Sequence, residues 1–133
     1  MSEQHHSPKN FSFTGFVKLI RIQNLIIIIL SQYLAALYLL EGIHLSNIRL
    51  FLLSLSTVII AAAGYIINDY YDVKIDYVNK PQRVVVGKVL KRRVVLFWHT
   101  FMNFTAIAIA FYLSWKLAAV FFGSAFLLWL YSN

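Results

Sequence analysis

Four long stretches without a charged residue limit what this chain can fold into. They hold 76 of the 133 residues and lie at Ile22–Leu40, Leu50–Ile67, Val94–Trp115 and Leu117–Asn133. Each stretch is close to the roughly 20 apolar residues that cross a bilayer core as an α-helix. Only 13% of the residues are charged, against about 25% in an average soluble domain. The sequence therefore predicts an all-α fold, a multi-pass bundle with four transmembrane helices.

The first of these helices follows a polar segment. Residues 1–15 are polar, which indicates a tail outside the bundle, and we expect the membrane unit over residues 16–133. The first helix is expected over Phe16–Leu40, and a connection over Glu41–Arg49 follows it. Glycine soon after an apolar run is a common helix stop, and this connection contains Gly42.

The remaining boundaries depend on Pro81 and Lys116. The second helix begins near Leu50 and is expected to run until Pro81 ends it, because proline disfavours helical geometry in the residue before it. The third helix begins near Arg92. A single helix over residues 96–131 would be about 54 Å long, too long for a hydrocarbon core of about 30 Å. We therefore expect a tight helical hairpin at Lys116.

Basic residues are distributed unequally between the two sides of such a bundle. Four spans place the N-terminal tail, the segment 68–93 and the C-terminal end on one side. Ten basic residues fall on that side, namely Lys9, Lys18, Arg21, Lys74, Lys80, Arg83, Lys88, Lys91, Arg92 and Arg93. The other side has only Arg49 and Lys116. The positive-inside rule predicts that the ten-residue side faces the cytoplasm and that the protein lies in the cell membrane.

Three of the five acidic residues, Asp69, Asp72 and Asp76, lie within eight positions at the end of the second span. Together with Asn68 they occupy an arc of about 100° on a helix. Like charges on one helical face repel, and a helix C-terminus disfavours anions. Mg²⁺ would relieve both effects, since it binds one or two carboxylates together with phosphate oxygens. The pattern predicts a metal-bridged phosphate or diphosphate site, and a solvated acidic turn or a transporter cation site remains open.

Basic and amide side chains lie at the same level of the bundle. Lys80 and Arg83 follow the aspartates directly, and Arg21 and Asn24 open the first span three residues apart. Arg and Lys are the usual partners of phosphate oxygens. The alternatives are a topology signal, contact with anionic lipid head groups, a snorkelling arginine and an interhelical amide hydrogen bond.

These motifs resemble those of the UbiA-type intramembrane prenyltransferases. Asn-Asp-x-x-Asp-x-x-x-Asp over Asn68–Asp76 is similar to the first aspartate-rich motif of that family. Asn79–Gly87 resembles its Asn-x-Pro-x-Arg…Gly loop, and Arg21–Asn24 resembles its Arg-x-x-Asn start. The resemblance extends over residues 16–133.

The resemblance implies a bundle of about nine transmembrane helices around a central cavity. It also implies Mg²⁺-dependent transfer of a prenyl group from a prenyl diphosphate to a lipid or aromatic acceptor, with no nucleic-acid partner. The residues that would hold Mg²⁺ are Asn68, Asp69, Asp72 and Asp76, of which Asp72 and Asp76 would be catalytic. The residues that would bind substrate are Arg21, Asn24, Lys80 and Arg83.

The acceptor is less constrained than the donor. The run from Gly64 through Gly87 resembles most the members that use geranylgeranylglycerol phosphate. A quinone-precursor prenyltransferase is the alternative, and a non-enzymatic four-helix membrane scaffold is the alternative from another class. The family has a second aspartate-rich motif, whereas no acidic residue follows Asp76 here. We therefore expect this chain to be the N-terminal portion of a longer enzyme and to be inactive alone.

Overall fold

The structure is a computed structural model that describes residues 7, 8, 10 and 12–133, with the backbone only at Arg83. The expected tail over residues 1–15 lies largely outside the described residues, and its last residues belong to the first helix. Over these described residues, six α-helices and one 3₁₀ turn follow one another in this order: α1 (Phe13–Ile20), α2 (Ile22–Leu39), α3 (Ile48–Tyr71), α4 (Val73–Asn79), the 3₁₀ turn (Pro81–Arg83), α5 (Arg92–Leu113) and α6 (Trp115–Ser132).

The four longest helices confirm the predicted bundle. Helices α2, α3, α5 and α6 are each long and apolar enough to cross a membrane. The hairpin expected near Lys116 is also confirmed, because α5 ends at Leu113 and α6 begins at Trp115. Ser114 alone separates them, with extended backbone at φ −168° and ψ 135°. Among the residues that the structure describes there is no strand, only an isolated bridge between Val86 and Leu90.

Helix α3 is the centre of the bundle. It packs against α1, α2, α5 and α6, and nine of its residues are buried, compared with two in α2 and two in α6. Small residues allow this close packing. A Cβ atom on Gly64 would lie 2.9 Å from Leu128 Cδ1, and Ala63 accepts a hydrogen bond through its carbonyl from His99 Nδ1 at 3.0 Å. Close backbone approach and interhelical hydrogen bonds are the usual means of helix association in membranes.

The expected first helix over Phe16–Leu40 is wrong, because two helices occupy this region. They meet at Arg21, whose backbone is left-handed with φ 53° and ψ 61°. The short α1 leaves the line of α2 to bury Leu19, which is 1% exposed. It also brings Gly15 so close to Val89 that an added Cβ would lie 2.8 Å from Val89 Cγ1. Packing of α1 therefore accounts for a break at which the sequence has neither glycine nor proline.

The second helix, expected to run without a break from Leu50 to Pro81, is also wrong, because two helices occupy this region. Helix α3 ends at Tyr71, Asp72 is not helical, and α4 runs from there to Asn79. Backbone hydrogen bonds still bridge the interruption, since the Asp72 N–H donates to the Asn68 carbonyl at 3.0 Å and the Asp76 N–H donates to the Asp72 carbonyl at 2.8 Å. Pro81 follows the end of α4 closely, as its missing N–H and fixed φ require.

A buried loop closes the end of the bundle where α2 begins, α3 ends and α5 begins. We call this the Asp69 end. The loop residues Val84, Val85, Val86 and Leu90 are buried, and the N–H groups of Val89 and Leu90 both donate to the Val85 carbonyl. Val85, Val86 and Leu90 form a hydrophobic cluster with Leu19, Ile66 and Val95. The cluster holds α1 against α3 and α5, which positions the groups described next.

Candidate functional site

A cavity of about 620 Å³ opens at the Asp69 end. Its walls come from the junction of α1 and α2, from the end of α3, and from α4 and the turn after it. The lining residues are Val17, Lys18, Arg21, Ile22, Gln23, Asn24, Asp69, Asp76, Lys80 and Gln82. Ligand sites in proteins commonly have volumes of about 300–1,000 Å³. The cavity therefore has the size of a small-molecule site, and its lining is mostly polar although it lies at the end of apolar spans.

Arg21 links the two walls of this cavity. Its Nη2 donates to Asp69 Oδ1 at 2.8 Å, although the two residues are 48 positions apart along the chain. The Arg21 Cζ also lies 5.0 Å from the centroid of the Tyr65 ring. The Asp69 side chain is 17% exposed and the Arg21 side chain 43%, so water screens this charge-assisted hydrogen bond on the arginine side. The ion pair therefore ties the helix junction to α3.

The structure separates the three aspartates of the motif into two environments. Asp69 and Asp76 line the cavity. Asp72 is not among its lining residues, and its Oδ2 accepts a hydrogen bond from Asn68 Nδ2 at 3.0 Å. The residue also forms the boundary between α3 and α4. The motif thus supplies two carboxylates to the cavity and one amide–carboxylate pair beside it.

These carboxylates match part of what a Mg²⁺ ion requires. Mg²⁺ usually binds one or two protein carboxylates and takes its other ligands from water and phosphate, and Asp69 and Asp76 bring two carboxylates to one cavity. In the part of the chain that the structure describes, no group of three His, Asp or Glu side chains is placed to hold a metal ion. The donor set therefore fits a shared metal–phosphate site and not a site made from these side chains alone.

The residues predicted to bind substrate are brought to the same place, with one exception. Arg21, Asn24 and Lys80 all line the cavity. The side chain of Arg83 lies outside the part of the chain that the structure describes, and its backbone belongs to the 3₁₀ turn after Lys80.

Valine side chains lie next to the two carboxylates that line the cavity. A smaller space at the Asp69 end is lined by Asp69, Asp76, Val73 and Val84–Val86. The three loop valines are buried. The aspartates thus lie between the polar cavity and the apolar side chains of the loop.

Lys18, Gln82 and Tyr65 are cavity or supporting residues that the sequence motifs do not indicate. Lys18 comes from α1 and Gln82 from the 3₁₀ turn, and both line the cavity. Lys18 lies three residues before Arg21, and on a continuous helix this spacing would place the two side chains on one face and so indicate Lys18 as a cavity residue. This spacing is a weak indication here, because the helix is interrupted at Arg21 and helical spacing no longer predicts a shared face. Tyr65 lies one turn before Asp69 on α3, a spacing that places the two side chains on one face.

Comparison with known proteins decides the family. Residues 29–133 match the family model described as the UbiA prenyltransferase family. The chain belongs to this family. The match covers well over half of the 133 residues, and it confirms the family that the aspartate motif and the loop indicate. With four helices able to cross a bilayer, this UbiA-family chain is a multi-pass membrane protein.

Several curated relatives share one name. The chain is 31% identical over 118 residues to digeranylgeranylglyceryl phosphate synthase of Pyrococcus horikoshii, which covers 89% of the chain and 42% of the relative. It is 33% identical over 99 residues to the enzyme of that name from Pyrococcus abyssi, covering 74% of the chain and 35% of the relative. It is 31% identical over 125 residues to the enzyme of that name from Methanospirillum hungatei, covering 90% and 42%. The chain thus spans less than half the length of these relatives. No solved structure matches the chain.

Proposed function

We propose that this chain forms the N-terminal part of an intramembrane prenyltransferase that takes its prenyl group from a prenyl diphosphate. The cavity at the Asp69 end carries this proposal. It places three cations, Lys18, Arg21 and Lys80, beside two carboxylates at the end of apolar spans. A prenyl diphosphate has an anionic head and an apolar chain, and it matches a charged cavity that adjoins the membrane.

The cations act on the leaving group. Transfer breaks the bond between the first prenyl carbon and the diphosphate oxygen, so negative charge grows on the diphosphate. Arg21 and Lys80 donate hydrogen bonds to anionic oxygens, and such donors stabilise the developing charge when they are already in place. Arg83 belongs to the same loop as Lys80 and is proposed for the same role. Asn24 adds an amide donor from the wall of α2.

The acidic motif is proposed to hold Mg²⁺. The residues that would bind it are Asn68, Asp69, Asp72 and Asp76, with Asp72 and Asp76 essential for turnover. Bound Mg²⁺ would neutralise negative charge on the diphosphate. The two carboxylates that line the cavity support this assignment, and the Asn68–Asp72 hydrogen bond of 3.0 Å shows that two further members of the motif lie beside each other.

The favoured acceptor is a geranylgeranylglycerol phosphate-type ether lipid. Its hydroxyl oxygen would form the new bond to the prenyl carbon and lose its proton to the departing diphosphate, which leaves with the electron pair of the broken bond. The shared name of the curated relatives, digeranylgeranylglyceryl phosphate synthase, supports this choice. Such an acceptor brings a second anionic group to the cavity, where a third cation, Lys18, lies close by.

The Asp69 end is proposed to face the cytoplasm of the cell. Ten of the twelve Lys and Arg residues fall on this side of the four spans, which is the asymmetry that the positive-inside rule describes. A prenyl diphosphate that is made in the cytoplasm would then reach the cavity without crossing the membrane.

Transfer assays on the full-length protein in liposomes test the proposal. Radiolabelled geranylgeranyl diphosphate is offered with geranylgeranylglyceryl phosphate or with 4-hydroxybenzoate, with Mg²⁺ or with EDTA. We expect a labelled lipid product with the first acceptor and Mg²⁺, and no product with EDTA or with residues 1–133 alone. Transfer to 4-hydroxybenzoate instead would favour the quinone-precursor reaction. Transfer to neither acceptor, together with no binding of the diphosphate, would favour a non-enzymatic scaffold.

A further inference from the structure

We propose that Tyr65 is a positioning residue that holds the Arg21 guanidinium ready for the diphosphate of the donor. This inference rests on the proposed function, and it adds a residue that neither the aspartate motif nor the loop motif includes. Tyr65 does not line the cavity. It acts through Arg21, which does.

Two groups on α3 hold one guanidinium. Arg21 Nη2 lies 2.8 Å from Asp69 Oδ1, and Arg21 Cζ lies 5.0 Å from the Tyr65 ring centroid. Tyr65 and Asp69 are four residues apart on the same helix, so their side chains are neighbours on one face. A cation within about 6 Å of an aromatic ring centroid, over its face, is attracted by the ring. The carboxylate and the ring therefore restrain the guanidinium from two directions.

Arg21 benefits from such restraint because its side chain is long and partly exposed to water. Its backbone adopts φ 53° and ψ 61°, which is uncommon for a residue other than glycine. Its side chain is 43% exposed, and a long exposed side chain loses conformational freedom when it binds a ligand. Contacts that order the side chain beforehand reduce that loss, so binding of an anion becomes tighter without a new contact.

The ion pair leaves donors for a ligand. A guanidinium has five N–H donors in a planar fork, and the bond to Asp69 uses Nη2. Donors on Nε and Nη1 remain for an anion in the cavity that Arg21 lines. A planar fork binds phosphate oxygens in pairs, and the Tyr65 ring beside the guanidinium restricts its movement.

The position 65 variants separate the ring from the hydroxyl group. Tyr65→Phe keeps the ring face and removes only the hydroxyl, whereas Tyr65→Leu removes the ring. Tyr70→Leu is a matched control, because Arg92 Cζ lies 4.7 Å from the Tyr70 ring centroid and neither residue lines the cavity. All are made in the full-length protein, and binding of radiolabelled geranylgeranyl diphosphate and of inorganic pyrophosphate is measured beside thermal unfolding.

We expect Tyr65→Leu to weaken diphosphate binding about two- to five-fold, the size of a cation–π contact at a partly exposed site. Tyr65→Phe and Tyr70→Leu should bind as the unaltered protein does. A folded Tyr65→Phe variant that binds several-fold more weakly would overturn the inference, because the ring would then not be the group that matters.

A double-mutant cycle excludes a purely structural role. Arg21→Ala should weaken binding on its own, and Tyr65→Leu should add no further loss in the Arg21→Ala background. An additive loss would overturn the positioning role. If the unaltered protein binds neither diphosphate, the proposed function fails and this inference fails with it. If it binds and Tyr65→Leu binds equally well, only the positioning role of Tyr65 is wrong.

Discussion

The two ends of the bundle break or reverse the chain by different means. At the Asp69 end, the junction at Arg21 is left-handed and its side chain contacts both Asp69 and Tyr65. At the opposite end, α5 and α6 are separated by Ser114 alone, which is extended and whose side chain makes no capping hydrogen bond. Neither junction contains glycine or proline.

The connection between α2 and α3, at the same end as Ser114, relies on local turn chemistry. Gly42 has φ 75° and an added Cβ would meet nothing within 4 Å. Asn47 caps α3 by accepting hydrogen bonds from the N–H groups of Arg49 and Leu50. We call the end of the bundle that contains this connection and Ser114 the Glu41 end. The Gly42 turn and the Asn47 cap depend on residues close in sequence, whereas the Arg21 junction at the Asp69 end is held by contacts with residues distant in sequence. The Asp69 end is therefore where side chains from several elements meet to form a site.

The largest expected difference between the two ends is in turnover. Asp76→Ala in the full-length protein should lower Mg²⁺-dependent prenyl transfer more than about 100-fold, because a carboxylate that holds metal and diphosphate charge would be lost. Glu41→Ala, which removes the acidic side chain of the other end, should stay within about two-fold, as a surface substitution away from the site does. Steady-state transfer rates at saturating donor measure both. Near-normal turnover by Asp76→Ala would remove that residue from the metal assignment.

Glycine substitutions should show a smaller difference, in stability. A Cβ on Gly15 would lie 2.8 Å from Val89 Cγ1, so Gly15→Leu should cost about 1–3 kcal/mol more than Gly15→Ala through overpacking. At Gly42 the space is open. Both substitutions there pay the same strain of a positive φ, and they should differ by no more than about 0.5 kcal/mol.

Unfolding in detergent micelles compares the four glycine variants. If Leu lowers the free energy of unfolding relative to Ala by the same amount at both glycines, α1 is not packed closely against the loop. The proposed difference between the two ends would then lose its basis.

The smallest expected difference concerns two serines that precede helices. Ser12 Oγ accepts a hydrogen bond from the Gly15 N–H at 3.3 Å, so Ser12→Ala should lower the free energy of unfolding by about 0.5–1 kcal/mol. Ser114 makes no such bond, and Ser114→Ala should change it by less than about 0.5 kcal/mol. The same unfolding measurement serves for both, and a larger loss for Ser114→Ala would mean that its side chain does help to end α5.

Much of the fold could be predicted from the sequence because bilayer thickness limits helix length. The uncharged stretches indicate α2, α3, α5 and α6, and the excessive length of a single helix over residues 96–131 indicates the break that the structure places at Ser114. The spacing of Asn68–Asp76 also indicated the family that residues 29–133 match. These features depend on composition and local spacing. They can be recognised in the sequence without knowing which helices pack against each other.

The tertiary structure alone decided how the Asp69 end is built. The break at Arg21 exists because α1 packs Leu19 and Gly15 against the loop and α3. The pairing of Arg21 with Asp69 joins residues 48 positions apart. Contacts of this kind depend on which surfaces bury each other. Their energies are realised only when α1, α3 and the loop are packed together, and for that reason no local pattern in the sequence contains them.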